Sequence, residues 1–440
     1  RPPRSTQSRS SAASDVYKRQ RRRSQTMKNI SLFIILLYAF TSASASSILI
    51  KGADIYSATG LLPKSNLYIK DGEITAIGRN APMSADLEVN GNGMSITAGL
   101  FNASTHIGTV EVSAISPTVD FYSENESITA ALRIADAFNP RSTLIPHNRV
   151  HGLTHALIVP ESGTNLFSGQ VGLVQLGNQP KVIHDSLAMA LDFTESGIRL
   201  AGNSRAAALV QLRQALDDAK DFSRNRAAAM AGDHRDYVLS YADLAALESV
   251  VNGDKPLLVK THRASDITTI LALAKEFQLQ LILSGAIEGW MVADEIAKAG
   301  IPVIMDPIHN LPNSYESLGA RLDNAKLLAD AGVTLLFTGM GGSDTHNAYL
   351  VKQSAGNAVA NGLPKSVAIA AMTSNPAKLF GAKVSGDIAV GAIADLVLWG
   401  GDPLELTSEA QLVLINGEVI PMESRSFQLR DRYFKRLKKD

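Results

Sequence analysis

The sequence predicts an α/β fold, a (β/α)8 TIM barrel that carries a small β-sandwich built from both chain ends. Through residues 98–384, short buried strand patterns alternate with helical patterns, and such alternation is typical of a parallel sheet closed into a barrel. Residues 48–97 and 385–423 hold short β patterns that end in turn signals such as Asp71-Gly72 and Asn416-Gly417. We therefore expect these two end segments to form one composite domain.

The first 45 residues of the chain contain two segments that are not expected to belong to the folded protein. Residues 1–26 carry eight Lys/Arg and one acid, which is typical of a disordered tail, and we interpret them as foreign to the natural protein. Met27-Lys28, the apolar run at 32–40 and Ala43-Ser44-Ala45 predict a signal peptide over residues 27–45. The apolar run is too short to span a bilayer, so we expect a periplasmic or secreted protein with no stable membrane span after cleavage.

Composition narrows the classes of partner. Removing residues 1–45 takes away nine basic residues and one acid, which leaves 33 basic against 41 acidic residues. This balance argues against nucleic acid or an anionic membrane as partner. The 440 residues include no cysteine, which excludes disulfides and thiolate chemistry and suits an oxidising compartment.

In the middle of the chain, apolar runs predict strands and 3.6-residue periods predict helices. The predicted strands are residues 153–159, 171–176, 256–261, 279–283, 301–305 and 334–337. The predicted helices are residues 206–224, 244–251, 267–276, 290–299 and 324–331. After Ser424 the chain turns basic, and we expect it to fray.

A buried strand at residues 96–101 runs into polar residues. Because alternate side chains of a strand share a face, Asn102, Ser104 and His106 are expected to point the same way. In a barrel, the carboxyl ends of the strands are where ligands bind. These three residues are therefore candidates for a functional site.

The segment that begins at Gly99 resembles the first barrel strand of the metal-dependent amidohydrolases, whose pattern is Pro-Gly-Leu-Ile-Asp-x-His-x-His. Gly99, Leu100 and His106 keep this pattern, whereas Asn102 replaces the Asp and Ser104 replaces the first metal-binding His. The resemblance is closest to the secreted imidazolonepropionase-like members and extends over residues 48–420. It implies the barrel, the composite β domain and hydrolysis of a carbon–nitrogen bond.

Three more segments extend the resemblance. Lys260 and His262-Arg263 stand where the family often has His-x-His-Arg, and Gly285 stands where it has another metal-binding His. Asp344 is the candidate for the catalytic Asp after the last strand. The resemblance thus implies metal ligands at His106 and His262 and a catalytic role for Asp344, and Lys260 is a further catalytic candidate because of its charge.

The candidate substrate-binding residues are Asn102, Ser104, Arg263 and Glu111. Hydrolytic zinc needs three protein ligands and a water, so the substitutions leave one weakly bound divalent metal or none. The Lys260 ammonium disfavours a nearby cation and is a candidate oxyanion partner, with a structural ion pair as its alternative role. A hydrogen-bonded core histidine is the alternative for His106 and His262.

Two functions remain open. The first is a hydrolase acting on carbon–nitrogen (non-peptide) bonds of a small cyclic amide or peptide-like substrate, with a degenerate metal site. The second is a catalytically inactive paralogue that binds a ligand or pairs with an active homologue, and a homo-oligomer is a further possibility. The missing ligands at Ser104 and Gly285 favour the second function, whereas His106, His262 and Arg263 favour the first.

Overall fold

The computed structural model of the protein describes residues 47–57, 59–308, 312–339, 345–381 and 386–437. All of them belong to one compact unit, Ser46–Asp440. The predicted tail at 1–26 and the predicted signal peptide at 27–45 lie outside the described residues. In the ranges that the structure describes, no helix is long and apolar enough to cross a bilayer.

Sixteen strands are described, and they form two sheets. The strands are β1 (Ser47–Ser57), β2 (Gly60–Lys70), β3 (Glu73–Ile77), β4 (Leu87–Asn90), β5 (Ser95–Ala98), β6 (Leu100–Thr105), β7 (Leu153–Ile158), β8 (Phe167–Gln175), β9 (Lys181–Asp192), β10 (Leu257–Thr261), β11 (Leu281–Gly285), β12 (Val303–Met305), β13 (Leu335–Phe337), β14 (Leu396–Trp399), β15 (Ala410–Ile415) and β16 (Glu418–Val419).

Strands β6 to β13 form a nearly closed barrel sheet in chain order. All but the last residue of the predicted strand at 171–176 lies within β8, but β8 runs antiparallel to both β7 and β9, so an all-parallel barrel is not what the chain forms. The connection from β8 to β9 is too short for a crossover helix, and a hairpin is the arrangement that short connections permit. Strand β9 was not predicted because the first half of this strand is polar and largely exposed and contains His184 and Asp185.

The helices pack around the barrel, and all five predicted ones are present with adjusted bounds. Ser204 caps the longest by accepting a hydrogen bond from Ala207 N, and that helix ends at Gly232, whose φ of 81° suits glycine. The helices are α1 (Leu144–Arg149), α2 (Glu195–Leu200), α3 (Arg205–Ala231), α4 (Tyr241–Val251), α5 (Ala264–Phe277), α6 (Ala293–Lys298), α7 (Asn324–Asp330), α8 (Val351–Ala360), α9 (Lys365–Ala371), α10 (Ser374–Leu379) and α11 (Arg425–Leu437).

The expectation that the chain frays after Ser424 is wrong, because residues 425–437 form the helix α11. That expectation rested on the basic residues, but the apolar residues among them have helical spacing. Ser424 is buried and accepts a hydrogen bond from Phe427 N at 3.3 Å, which caps the first turn.

Strands from both chain ends meet in the second sheet, in the order β16-β15-β14-β5-β1-β2-β3 with β4 beside β1. Strand β14 pairs antiparallel with β5, and the buried Trp399 donates from Nε1 to Thr97 Oγ1 at 2.9 Å across this junction. The β patterns at the two ends therefore belong to one sheet. The sandwich arrangement and the domain boundaries stay predictions.

Candidate functional site

The interior of the barrel is filled by an apolar cluster to which all eight strands contribute, which we call the interior cluster. Its strand members are Phe101, Ala103, Leu157, Val171, Leu173, Ala188, Ala190, Leu258, Ile282, Ile304 and Leu336. Since a strand has a two-residue period, the residue two positions beyond the last apolar one also faces inward. On β9, β10 and β11 these residues are Asp192, Lys260 and Ser284.

His106 reaches this polar tier because β6 is irregular. Asn102 pairs with Ala156 and Thr105 pairs with Ile158, so β6 has one residue more than β7 between the two pairs. Ala156 and Ile158 belong to the cluster outside the barrel wall, which places Asn102 on the outer side. The extra residue reverses the alternation and turns His106 inward, so the prediction that Asn102 and His106 share a face is wrong.

Asn102 joins the two strands at which the barrel closes, β6 and β13. Its Nδ2 donates to the carbonyl of Ala348 at 2.8 Å, and its Oδ1 accepts from Thr338 Oγ1 at 2.9 Å and from Ser104 N at 3.0 Å. The residue is 1% exposed. These hydrogen bonds give Asn102 a structural role in joining β6 to β13. Contact of Asn102 with a substrate stays a prediction.

His106 is a buried imidazole whose environment keeps it neutral. It is 4% exposed and stacks on Phe121 with ring centroids 3.8 Å apart. Burial, and then the positive charge of Lys260, lower the pKa of His106 to about 3. Its Nε2 lies 3.6 Å from Glu161 Oε1, and because the imidazole is neutral this is a polar contact rather than an ion pair.

Lys260 is exposed at the end of β10, in register with Asp192 on β9 and Ser284 on β11. The positive charge of Lys260 lowers the pKa of His106, so the two side chains lie in the same region of the barrel. Lys260 forms no ion pair with any residue in the described ranges. The alternative role as a structural ion pair therefore finds no partner in that part of the chain.

The ring of His262 occupies the space above Gly285. A Cβ placed on Gly285 would lie 2.3 Å from His262 Cε1 and 2.4 Å from its Nδ1, and Gly285 has a φ of +89°. Both observations require glycine here. The imidazole from β10 thus fills the position in which the resemblance places a metal-binding side chain on β11.

The remaining candidates have mixed surroundings. Arg263 is exposed, and its carbonyl accepts hydrogen bonds from the first turn of α5. The Glu111 carboxylate accepts from Asn139 Nδ2 at 3.1 Å and from Thr143 Oγ1 at 3.4 Å, which ties the loops after β6 together. Ser104 is half-buried, and Asp344 lies outside the described residues. Their functional roles stay predictions.

Several polar residues near the strand ends were not predicted from the sequence. Asp306 directly follows the predicted strand at 301–305, and the strand-end rule would have found it. Asp192 went unnoticed because β9 was not predicted. Glu316 comes from a loop, where it is buried and accepts from Glu195 N at 2.8 Å, and burial raises the pKa of Glu316 to about 7.

The described residues do not supply a full zinc site. Among them, no group of three or more His, Asp or Glu side chains could hold one metal ion. His106 and His262 are the histidines at the strand ends, Ser104 and Gly285 carry no imidazole, and the Lys260 ammonium adds a positive charge beside His106. Since hydrolytic zinc needs three protein ligands, the donor set in this part of the chain does not fit the metal.

A nearly closed barrel with polar residues at the carboxyl ends of its strands defines a class of proteins that bind ligands at that end. Residues 186–421, more than half of the chain, match the model of the amidohydrolase family. The chain therefore belongs to the amidohydrolase family. Hydrolysis is the function that this membership supports.

A curated relative is the amidohydrolase TasK of Hapsidospora irregularis, which is 21% identical over 391 residues. The alignment covers 80% of this chain and 39% of the relative, so the chain spans about two fifths of that protein's length. An amidohydrolase structure from Thermotoga maritima MSB8 has a TM-score of 0.75 at 23% identity and covers 85% of this chain and 99% of its own.

Two further solved structures share the fold. A prolidase complexed with N-methylphosphonate-L-proline has a TM-score of 0.51 at 13% identity and covers 86% of this chain and 100% of its own. Molinate hydrolase has a TM-score of 0.52 at 15% identity and covers 86% of this chain and 96% of its own. At these identities the likeness shows the barrel fold.

Neutral buried histidines make the stability of the fold depend on pH. Burial lowers the pKa of His106 and His155 to about 3 and that of His151 to about 4. In the unfolded chain these pKa values lie near 6.5, so below that pH the unfolded chain binds more protons than the folded protein does. The contribution of these histidines to the free energy of unfolding is therefore complete above about pH 6.5 and is lost as the pH falls. Replacing His155 by glutamine is expected to lower the slope of unfolding free energy against pH between pH 5 and 6 by about 1.4 kcal/mol per pH unit.

Urea unfolding at a series of pH values measures this slope. The exposed His184, replaced by glutamine, is the matched control for the substitution itself. Glu316 and Asp395, whose pKa values are raised by burial, oppose the histidines but are present in all three proteins and cancel in the comparison. Equal slopes for the wild type and His155→Gln would show that His155 is not held neutral.

Proposed function

We propose that this protein hydrolyses a carbon–nitrogen (non-peptide) bond in a small cyclic amide or peptide-like substrate at the carboxyl end of the barrel. Family membership supports hydrolysis, and the single observation that carries the proposal is the exposed Lys260 without an ion-pair partner in the described ranges, acting on His106. An ammonium at a strand end above an apolar interior, with no ion-pair partner among the described residues, is suited to bind a substrate.

The chemistry follows from the charges. Attack of water on an amide carbonyl forms a carbon–oxygen bond and places negative charge on the carbonyl oxygen, and a fixed ammonium at Lys260 stabilises that charge. The proton that the water loses passes to a base, for which the sequence predicts Asp344, and from there to the amide nitrogen as the carbon–nitrogen bond breaks. His106 is neutral, so it can hydrogen-bond to water or substrate without adding a second cation beside Lys260. The apolar interior cluster closes the floor of the site and limits the substrate to a small molecule.

The experiment is a hydrolysis assay on lactams, cyclic imides and N-acyl amino acids, including N-acylprolines because a prolidase shares the fold. Lys260→Met is expected to lower kcat/KM for the best substrate by a factor of roughly 100 to 1,000, as loss of an oxyanion partner does. Lys298→Met removes an exposed lysine on α6 and should leave the rate unchanged. Equal rates for wild type and Lys260→Met would refute the role of Lys260.

The second candidate function is a catalytically inactive paralogue that binds a ligand or pairs with an active homologue. The donor set of the described residues and the His262 ring above Gly285 favour it. Absence of hydrolysis across the panel, with or without added zinc, together with calorimetric binding of one of the same compounds would establish this second function. Pairing would appear as a change in mass on mixing with an active homologue.

We also propose that the protein works in the periplasm or outside the cell. The support is the sequence pattern of residues 27–45, which matches a secretory signal. Mass spectrometry of exported protein should find Ser46 at the amino terminus, and a retained segment 32–40 would contradict the proposal.

A further inference from the structure

The helix α11 lies on the surface with no buried residue. Its attachment is confined to its first turn, where Ser424 caps the helix and Phe427 meets the ring of His151 with centroids 6.0 Å apart. Beyond Phe427 the remaining ten residues have no buried side chain. The rest of the helix therefore contributes little to the stability of the fold, and its composition needs another explanation.

Along α11 the apolar side chains lie on one side. At 100° per residue, positions 429, 433, 434 and 437 fall within an arc of about 140°, which also contains Arg430. These are Leu429, Tyr433, Phe434 and Leu437, with exposed fractions of 38%, 56%, 54% and 72%. Exposed apolar residues that share one face of a helix mark an interaction surface.

The charge of α11 is opposite to that of the rest of the chain. Arg425, Arg432, Lys435 and Arg436 form no ion pair with a described residue, whereas Arg430 pairs with Asp431 at 2.9 Å. Residues 46–424 hold 26 basic and 39 acidic residues. The overall charge argues against an anionic membrane, but four cations without an ion pair to a described residue stand within the 13 residues of this helix.

We infer that α11 is an interfacial helix that binds an anionic lipid surface. Its apolar side enters the boundary between head groups and acyl chains, and its unpaired cations contact the lipid phosphates. Tyr433 and Phe434 are residue types suited to that boundary. Pairing with α11 of a second copy is disfavoured because it would bring two sets of unpaired cations together. Binding is carried by the helix, since the acidic remainder of the chain is repelled.

Co-sedimentation of the full chain with vesicles tests this inference. Vesicles of phosphatidylcholine with 30% phosphatidylglycerol should bind the protein, and phosphatidylcholine alone should bind it much more weakly. Neutralising three cations in Arg432→Gln/Lys435→Gln/Arg436→Gln is expected to lower the partition coefficient on the order of a hundredfold, since each cation near the surface contributes about fivefold. Tyr433→Ser/Phe434→Ser should lower it at least tenfold, because the apolar side is lost.

The changed side chains are exposed, so the fold should survive, and circular dichroism checks this. Leu406→Ser/Val390→Ser, at 67% and 64% exposure, is the matched control and should bind like the wild type. Equal binding to both vesicle types, no binding to either, or unchanged binding of the two α11 variants would overturn the inference. A dimer in solution that the α11 variants convert to monomer, without vesicle binding, would overturn it in favour of a second copy.

Discussion

Replacing Gly285 by alanine is expected to destabilise the protein by about 3 kcal/mol. The φ of +89° accounts for about 1 kcal/mol, because only glycine adopts it without strain. The rest comes from the His262 ring, which lies 2.3 Å from the position of the new Cβ and has to move. Gly253→Ala is the matched control, since Gly253 has a φ of +80° with nothing within 4 Å of its Cβ position.

Urea unfolding of five proteins separates the two costs: the wild type, Gly253→Ala, Gly285→Ala, His262→Ala and Gly285→Ala/His262→Ala. Gly253→Ala should lose about 1 kcal/mol, and the excess loss in Gly285→Ala should shrink when His262→Ala is added, because the contact is then absent. Equal losses in Gly253→Ala and Gly285→Ala would contradict the observed position of the His262 ring. A histidine at 285 would meet the same ring, so a metal ligand can be rebuilt on β11 only after His262 is removed.

Replacing Asn102 by alanine is also expected to destabilise the protein by about 3 kcal/mol. The change leaves the carbonyl of Ala348 without this donor and the N–H of Ser104 without this acceptor, in a position where Asn102 is 1% exposed. Each buried polar group deprived of its partner costs about 1–3 kcal/mol. Thermal and urea unfolding measure the loss.

Asn178 supplies the matched control for Asn102. Its Nδ2 donates to Glu418 Oε2 at 3.0 Å but is exposed, so Asn178→Ala should cost less than about 0.5 kcal/mol. Asn102→Asp keeps the acceptor for Thr338 and Ser104 but brings a carboxylate oxygen against the carbonyl of Ala348 in a buried site, so it should destabilise the protein at least as much as Asn102→Ala. An Asn102→Ala variant as stable as the wild type would show that the junction of β6 and β13 does not depend on this amide.

Much of the barrel could be predicted because its strands and helices carry their periods in the sequence. The strand containing Lys260 and the helix from Arg205 were predicted from apolar spacing, and the structure has both. Strand β9 was missed because tertiary pairing with β8 and β10, rather than a buried pattern, holds its polar half. The helix α11 was missed because charge masked a helical spacing of four apolar residues.

The candidate site was predictable where a strand is regular and not where it is irregular. The two-residue spacing of Leu258 and Lys260 holds on β10, so Lys260 extends the inward face. On β6 one extra residue reverses the faces between Asn102 and His106, and nothing in the sequence signals that insertion. Glu316 approaches from a loop far along the chain, and such contacts have no local signal.

The reversed strand β8 has a consequence for the order in which the barrel assembles. The β8–β9 hairpin joins residues close in sequence, such as Gln175 and Lys181, so little chain entropy is lost when it forms. The closure between Asn102 and Thr338 spans 236 residues, and its entropic cost is met only when the intervening strands are already in place. We therefore expect the hairpin to acquire protection in pulsed hydrogen exchange before the junction of β6 and β13, which makes that junction the last part of the wall to close and the first to open.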